Sequence, residues 1–374
     1  MLYFLNHERG LMNKFFFSFL FLSQLLLAQE KPTGKLRGLA DTVGFAHQAW
    51  QMDSVMKRIE AAYGKKIAAI QKEKNISDND AWKIAISPHD DYTYVSYMYP
   101  LVLKNVKAKA IIFFGVAHKA KQLNLQGKII FDSFSYWRGC YGNIKVSALR
   151  EKIISKLPKE MYEVNDSMQT IEHSVEGILP FIQYYNRNVE IISILVHYNS
   201  FDNMNKMAKP LAEAIAYVMQ ENKLQWGSDI ALIISTDAVH YGDEDWSGPN
   251  FARFGADSAG YEKAIALEKE IMDTCLKGKL EKAKAKKFCN YTIKKEDYKE
   301  YLWIWCGRYS VPMGLLTGFY LSEILNTPLD GIPLDYLTSI SISNKHIKVD
   351  DLKMGTTAPA KLRHWVGYAS VGYK

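Results

Sequence analysis

The sequence predicts one large α/β domain on an open, buried sheet, and two observations predict it. Four short apolar runs, Lys83 to Ser87, Ala110 to Phe114, Glu190 to Val196 and Ala231 to Ser235, read as buried strands set among stretches of helical periodicity. Each run ends abruptly in polar, metal-competent residues: Pro88-His89-Asp90-Asp91-Tyr92, Gly115-Val116-Ala117-His118, His197-Tyr198, and Thr236-Asp237-Ala238-Val239-His240-Tyr241-Gly242. Ligands of open α/β sheets bind outside the carboxyl ends of the strands, so these endings point to one shared crevice. The chain of 374 residues, 48% hydrophobic and 23% charged, is long enough to bury a sizeable core. It shows neither a Pro/Gly/Ser-rich linker nor an internal repeat that would divide it.

At the start, Lys14 precedes an almost unbroken apolar run, Phe15 to Leu27, that closes at Ala28-Gln29-Glu30. A positive residue, an apolar core and a small residue at the boundary make a secretory signal, and the run is short for a transmembrane helix. The expected arrangement is a signal over 1–28, cleaved near Ala28, and a domain over 29–374 exported to a periplasmic or extracellular compartment. Met12 can serve as the start of such a signal. No Cys lies near the boundary, which argues against a lipid anchor.

After an irregular segment from Leu36 to Phe45, Met52, Val55, Met56 and Ile59 mark a helix from about Ala49 to Ala62 whose stripe is core packing. A turn over 75–80 leads to the first strand. Beyond His89, the near-alternation of Tyr92, Tyr94, Tyr97 and Tyr99 suits a strand or extended loop, with phenols that line a pocket or fill a wall. Gln126 to Phe131 and Trp137 to Ile144 read as strand and turn, and Val146 to Leu157 as a helix. Glu172-His173-Ser174-Val175-Glu176 opens another helical stretch, in which His173 is a cap or a held acid/base group. Asp202 to Met219 is amphipathic, with Asp202 as N-cap and Pro210 marking a kink or second start. The polar, Gly-rich stretch from Gly242 to Ala256 suits an active-site loop, and a helix follows from Gly260 to about Lys277. Cys306 precedes an apolar helix, Val311 to Leu325, whose dipole, with Arg308, would favour its thiolate. Strand-like pieces over Leu337 to Ile342 and Val366 to Tyr373 close the chain.

The formal charge is +7, and +6 once residues 1–28 are removed with Glu8, Arg9 and Lys14. Much of the excess lies in Lys277, Lys279, Lys282, Lys284, Lys286 and Lys287, interleaved with Leu280, Ala283 and Ala285. That pattern is the solvated face of a helix, and no nucleic-acid module accompanies it. Cys140, Cys275, Cys289 and Cys306 could form two disulfides in an oxidising compartment, although a domain of this size does not need them.

No H-E-x-x-H helix, G-x-S-x-G elbow, Walker A loop or G-x-G-x-x-G turn is present. What remains is His89, His118 and His240 with Asp237 and Cys306. Two neutral imidazoles and one anionic ligand suit iron, copper or zinc with coordination positions left open, and a further His could move protons.

These motifs, in this order, resemble the Memo family, also called AmmeMemoRadiSam system protein B. The resemblance rests on Pro88-His89-x-x-Tyr92, Gly115-x-x-His118, Glu172-His173-Ser174-x-Glu176, Ser235-x-Asp237-x-x-His240-Tyr241-Gly242 and Cys306-Gly307-Arg308. Val43-Gly44-Phe45 and Val366-Gly367-Tyr368-Ala369-Ser370 extend it to both ends of the domain. It implies a central mixed, largely parallel sheet with helices on both faces, similar to class III extradiol non-haem iron dioxygenases. It also implies one iron or copper ion, zinc being a further option, held by His89, His118 and Cys306, with His240 and Asp237 in the acid/base region and His173 a second pocket histidine. The sequence departs from the family in Asp90-Asp91, Lys119 and His197, changes expected to make the pocket more charged. Three functions fit: a metal-dependent oxidoreductase, a metal- or peptide-binding protein without turnover, and a zinc hydrolase.

Overall fold

Five parallel strands form the middle of the sheet, four of them apolar and buried along almost their whole length and the fifth half-exposed, and parallel neighbours need a crossover connection in place of a hairpin. In the computed structural model, which describes residues 34–374, they are β1 (Ile84–Ser87), β2 (Ala110–Val116), β3 (Gly142–Val146), β4 (Glu190–Val196) and β5 (Ile230–Ser235). Two later strands, β6 (Asp330–Thr338) and β7 (His364–Tyr373), join antiparallel, giving the order β3-β4-β2-β5-β1-β7-β6. The sheet is the mixed, largely parallel one expected. The signal expected over 1–28 lies outside the described residues, and Gly34–Lys374 form one unit.

Alternate side chains feed two separate cores. Ile111, Phe113, Ala231 and Ile233 face α1 (Ala49–Glu73) and the segments over Tyr92–Leu103 and Leu179–Tyr185. Ile112, Phe114, Leu232 and Ile234 face α2 (Phe201–Glu221) and α3 (Ser310–Ile324). Met204, Met207, Leu211, Ile215 and Val218 of α2 are all buried, each contributing roughly 1.5–3 kcal/mol of transfer free energy. The chain runs from β1 to β2 over the first face and from β4 to β5 over the second. β5 slots between β2 and β1, and a crevice opens at their carboxyl ends.

Several local expectations change. The first helix runs on to Glu73, because Tyr63, Ile67 and Ile70 continue its buried stripe. Tyr92 to Tyr99 is helical, not extended: Tyr92–Val95 and Met98–Leu103 are short helices separated by Ser96 at φ +47°. The four phenols fill walls, their hydroxyls donating to Gly177 O, Ala358 O, Asp335 Oδ2 and Asp90 O at 2.6–2.9 Å. Ser200, not Asp202, caps α2, and Pro210 sits inside one continuous helix. The next strand stops at Thr338, and Ile342 stands fully exposed in a turn. No helix of the described residues is long and apolar enough to cross a membrane. All four cysteines are free and buried.

Candidate metal centre

Strands β2, β5 and β1 are neighbours, and the chain places His118, Asp237 and His89 just beyond their ends. Ser87 pairs with Ser235 in register, so β1 and β5 leave the sheet together, and the His89 amide donates to Asp237 Oδ1 at 2.9 Å. The His89 side chain is 1% exposed. Its Nδ1 lies 2.6 Å from Ser235 Oγ, and that hydroxyl donates its only hydrogen to Ser174 O at 2.5 Å. Nδ1 therefore carries the ring hydrogen and Nε2 keeps its lone pair. Nε2 faces Asp237 Oδ2 at 3.4 Å and Cys306 Sγ at 3.6 Å.

A carboxylate does for His118 what Ser235 does for His89. His118 Nδ1 is 2.9 Å from Glu172 Oε1, and its amide donates to Glu172 Oε2 at 2.8 Å. Burial alone would raise the Glu172 carboxyl; His118, then His173 and the Ser174 amide, outweigh it and hold Glu172 below the usual range. An ionised Glu172 fixes the hydrogen of His118 on Nδ1 and frees Nε2, the carboxylate-imidazole pairing that orients metal ligands. His173 stacks on His118, ring centroids 4.9 Å apart and planes at 7°, and both meet His89 edge-on. No helix begins at His173, so it is not a cap; the nearest starts at Leu179.

Cys306 arrives from the other side of the sheet. Trp305 bridges antiparallel to Val239, and the His240 amide donates to Ile304 O at 2.9 Å. Buried Glu268 accepts from the indoles of Trp303 and Trp305 at 2.5 and 2.7 Å and from the Val239 amide at 3.3 Å. One carboxyl thus ties the segment before Cys306 to the segment before His240. Cys306 Sγ accepts from the Asp237 amide at 3.0 Å. Burial, with Asp237 alongside, pushes the thiol well above its ordinary range. The thiolate expected from sequence is not favoured by the protein alone. Helix α3 starts only at Ser310, and the Arg308 guanidinium turns away to stack 3.3 Å from the Tyr301 ring centroid. A cation has to displace the proton.

Donor atoms of His89, His118 and His173 lie within 4.8 Å of one another, and so do those of His89, Asp237 and Cys306. His89 belongs to both groups. The expected ligands His118 and Cys306 fall in different groups, joined through it. Of these residues, His89, His118, His173 and Asp237 line a pocket of about 260 Å³. Phe45, Trp246 and His240 add aromatic rings to its lining, together with Asp41, Asp90, Asp91 and Thr357. His240 Nε2 is buried without a partner, and burial, with His118 and His364 near, pushes the ring down to about 3, so it is neutral at pH 7. Burial and Asp90 hold Asp237 well above the carboxylate range.

One strand ending does not converge. His197 is buried away from the residues that line the pocket, and neither ring nitrogen has a partner. Glu268, which no sequence motif singles out, falls on the buried stripe of its helix, with Ala264 before it and Ile271 after it. Asp41 and Phe45 reach the pocket because Glu176, ion-paired with buried Arg37, accepts the amides of Ala40 and Asp41 at 2.8 and 3.0 Å.

The sequence model of the Memo-like proteins matches residues 52–327 of this chain. The chain belongs to the Memo-like family. A MEMO1 family protein of Pyrococcus furiosus is 26% identical over 269 residues, 69% of this chain and 80% of that protein. One from Pyrococcus abyssi is 25% identical over 267 residues with the same coverage. One from Saccharolobus islandicus is 26% identical over 163 residues, 42% of this chain and 52% of its own length. The matched span of the Memo-like protein takes in His89, His118, His173, Asp237, His240 and Cys306 alike, whereas Asp41, Phe45 and Thr357 of the pocket lie outside it.

Proposed function

We propose that this Memo-like protein is a metal-dependent redox protein, similar to the non-haem iron dioxygenases, in which His89, His118 and Cys306 hold one iron or copper ion. The observation that carries the reading is the locked tautomer of His89. Ser235 spends its hydrogen on Ser174 O, so a buried Nε2 lone pair is left facing a thiol and a carboxyl. His118 repeats the arrangement through Glu172. Two oriented imidazoles and a thiol suit a borderline transition metal better than magnesium or calcium.

Bound there, the metal would supply one-electron exchange and an open position for a small molecule. The protein's own contribution is orientation and proton handling. Asp237, holding a proton within reach of His89, can donate a hydrogen bond or serve as an additional ligand once ionised. His240, neutral with a free Nε2 on the pocket wall, can accept a proton only from a group made strongly acidic at the centre. His173, stacked on His118 and partly open to solvent, can pass protons outward. Export after cleavage near Ala28 is part of the same proposal.

The test is metal content by mass spectrometry for protein purified without chelator, beside Cys306→Ser and His89→Ala, followed by oxygen consumption with and without His240→Ala. About one equivalent of iron or copper, absent from both variants, supports the reading. Zinc would redirect it to hydrolysis, with bound water as nucleophile. No metal in a folded wild type would leave a binding protein without turnover.

A further inference from the structure

The net charge of the chain is concentrated in one place. Residues 277–295 hold eight lysines against a single acid, Glu281, a net +7 that equals the formal charge of all 374 residues, so the remainder balances. The helix Lys282–Thr292 carries the middle of this run because Ala285, Phe288, Cys289 and Thr292 recur at helical spacing and are buried. Its inner face packs behind the metal centre: the Phe288 ring meets Trp305, the residue before Cys306, edge-on with centroids 5.2 Å apart. Its outer face is the solvated one that the sequence predicts. Among the described residues, Lys277 and Lys294 have loose carboxylate partners, Asp273 at 3.5 Å and Glu300 at 3.9 Å. Lys279, Lys282, Lys286, Lys287 and Lys295 are exposed and have none.

Like charges gathered without counter-charges repel one another, and an anionic partner relieves that repulsion. Three features choose the partner. The run contains no Arg, the residue suited to gripping carboxylate or phosphate bidentately, and Lys is depleted from protein interfaces. Lysines on the outer face of an amphipathic helix instead suit a plane of anionic headgroups, where mobile lipids supply charge without fixed geometry. Leu302, an exposed apolar side chain, lies with Lys286, Lys294 and Lys295 in the lining of a concavity of about 640 Å³, in which Asp202 and Glu296 are the acids. An apolar side chain among lysines matches the boundary between headgroups and acyl chains. No helix of the described residues is long and apolar enough to cross a membrane, so the contact they make is peripheral.

We propose that the lysine face of residues 277–295 docks the protein on an anionic lipid surface, with Lys282, Lys286 and Lys287 against the headgroups and Leu302 at their inner edge. The partner is phospholipid in a bilayer and not a free anion: each lysine adds a modest share, so retention needs the many charges that a membrane presents together. This goes beyond the redox reading and does not depend on the metal.

The chain from Gln29, the form proposed above to follow cleavage, keeps the whole unit Gly34–Lys374 and leaves the apolar run Phe15 to Leu27 out of the measurement. Without added metal, it is sedimented with vesicles of phosphatidylcholine alone or with one-third phosphatidylglycerol. Retention by the anionic vesicles and not by the neutral ones is expected, falling away between about 0.1 and about 0.5 M salt as the charges are screened. Lys282→Gln with Lys286→Gln and Lys287→Gln should weaken partitioning about a hundredfold, at about fivefold per lysine. All three side chains are exposed, so the variant folds, and its melting temperature is recorded beside wild type. Lys65→Gln with Lys72→Gln and Lys107→Gln removes the same charge from exposed positions outside the run and should change partitioning little. No retention by anionic vesicles, equal retention by both kinds, retention that survives the first triple variant, or equal loss in the second would each overturn the proposal. Polyglutamate and duplex DNA, added at the charge concentration of the lipid, should leave the protein on the vesicles; release by either would overturn the lipid assignment in favour of an acidic protein or a nucleic acid.

Discussion

Replacing Ser235 with alanine isolates the hydrogen bond on which the orientation of His89 depends. The hydroxyl is fully buried between two fully buried groups, His89 Nδ1–H and Ser174 O, so its loss leaves a donor and an acceptor unpaired. Each orphaned group costs about 1–3 kcal/mol, and with some relaxation the metal-free protein should lose roughly 2–5 kcal/mol. That is a large share of the total of about 5–15 kcal/mol expected of a domain, but it leaves a folded population to examine. The second effect is on the metal: with Nδ1 no longer held, either tautomer is open to His89, and affinity should fall about ten- to a hundredfold. Urea unfolding of chelator-treated protein reads the first effect, and competition with a chromogenic chelator the second. A loss of stability with unchanged metal affinity would mean that His89 Nε2 is not a ligand. No change in either would refute the hydrogen-bond chain itself.

Two further outcomes follow from single residues. Burial pushes His197 down to about 4 from an ordinary 6.5, so the unfolded chain takes up the proton first as pH falls; stability present above pH 6.5 is lost between there and pH 4, by roughly 3 kcal/mol. His197→Leu, which removes two unpartnered nitrogens at similar volume, should flatten that acid limb relative to wild type in urea titrations across the range, and superimposable limbs would show that His197 is not responsible. Gly307→Ala would set a Cβ 2.2 Å from Thr236 Oγ1 and 2.8 Å from Ser310 Oγ, an overpacking worth about 1–3 kcal/mol that should shift the adjacent Cys306, visible as a lower melting temperature together with faster thiol labelling; unchanged labelling would mean the segment gives way without moving the thiol.

The strands were legible because burial on both faces leaves no polar positions to confuse the pattern: Glu190–Val196 falls where its apolar run does, and β5 begins within a residue of its run. The helices were legible wherever one face packs, as in α2, and their ends were not. Ser200 caps α2 although Asp202 is as good a capping residue, because the choice depends on where the preceding strand lets the chain turn. The tyrosines after His89 misled for a related reason. Their near-alternation mimics a strand, yet two short helices broken at Ser96 bury all four rings, each hydroxyl reaching an acceptor contributed by a different part of the chain. No local period encodes such acceptors.

The same distinction runs through the site. Which residues stand at strand ends can be read from where apolar runs stop, and His89, His118 and Asp237 followed from that alone; His197 obeys the same rule and lies elsewhere, since a strand ending says nothing of which crossover covers it. What makes His89 and His118 chemically competent is a different layer, made of Ser235, Ser174 and Glu172. Serine on one ring and a carboxylate on the other impose the same tautomer by different means, and both depend on the turn at 172–174 lying across the ends of β2 and β5. Ser174 is pivotal: its hydroxyl bonds to both backbone groups of Val116 at the end of β2, while its carbonyl accepts the hydrogen of Ser235 at the end of β5. A change there would loosen both imidazoles together, although Ser174 presents no atom to the pocket.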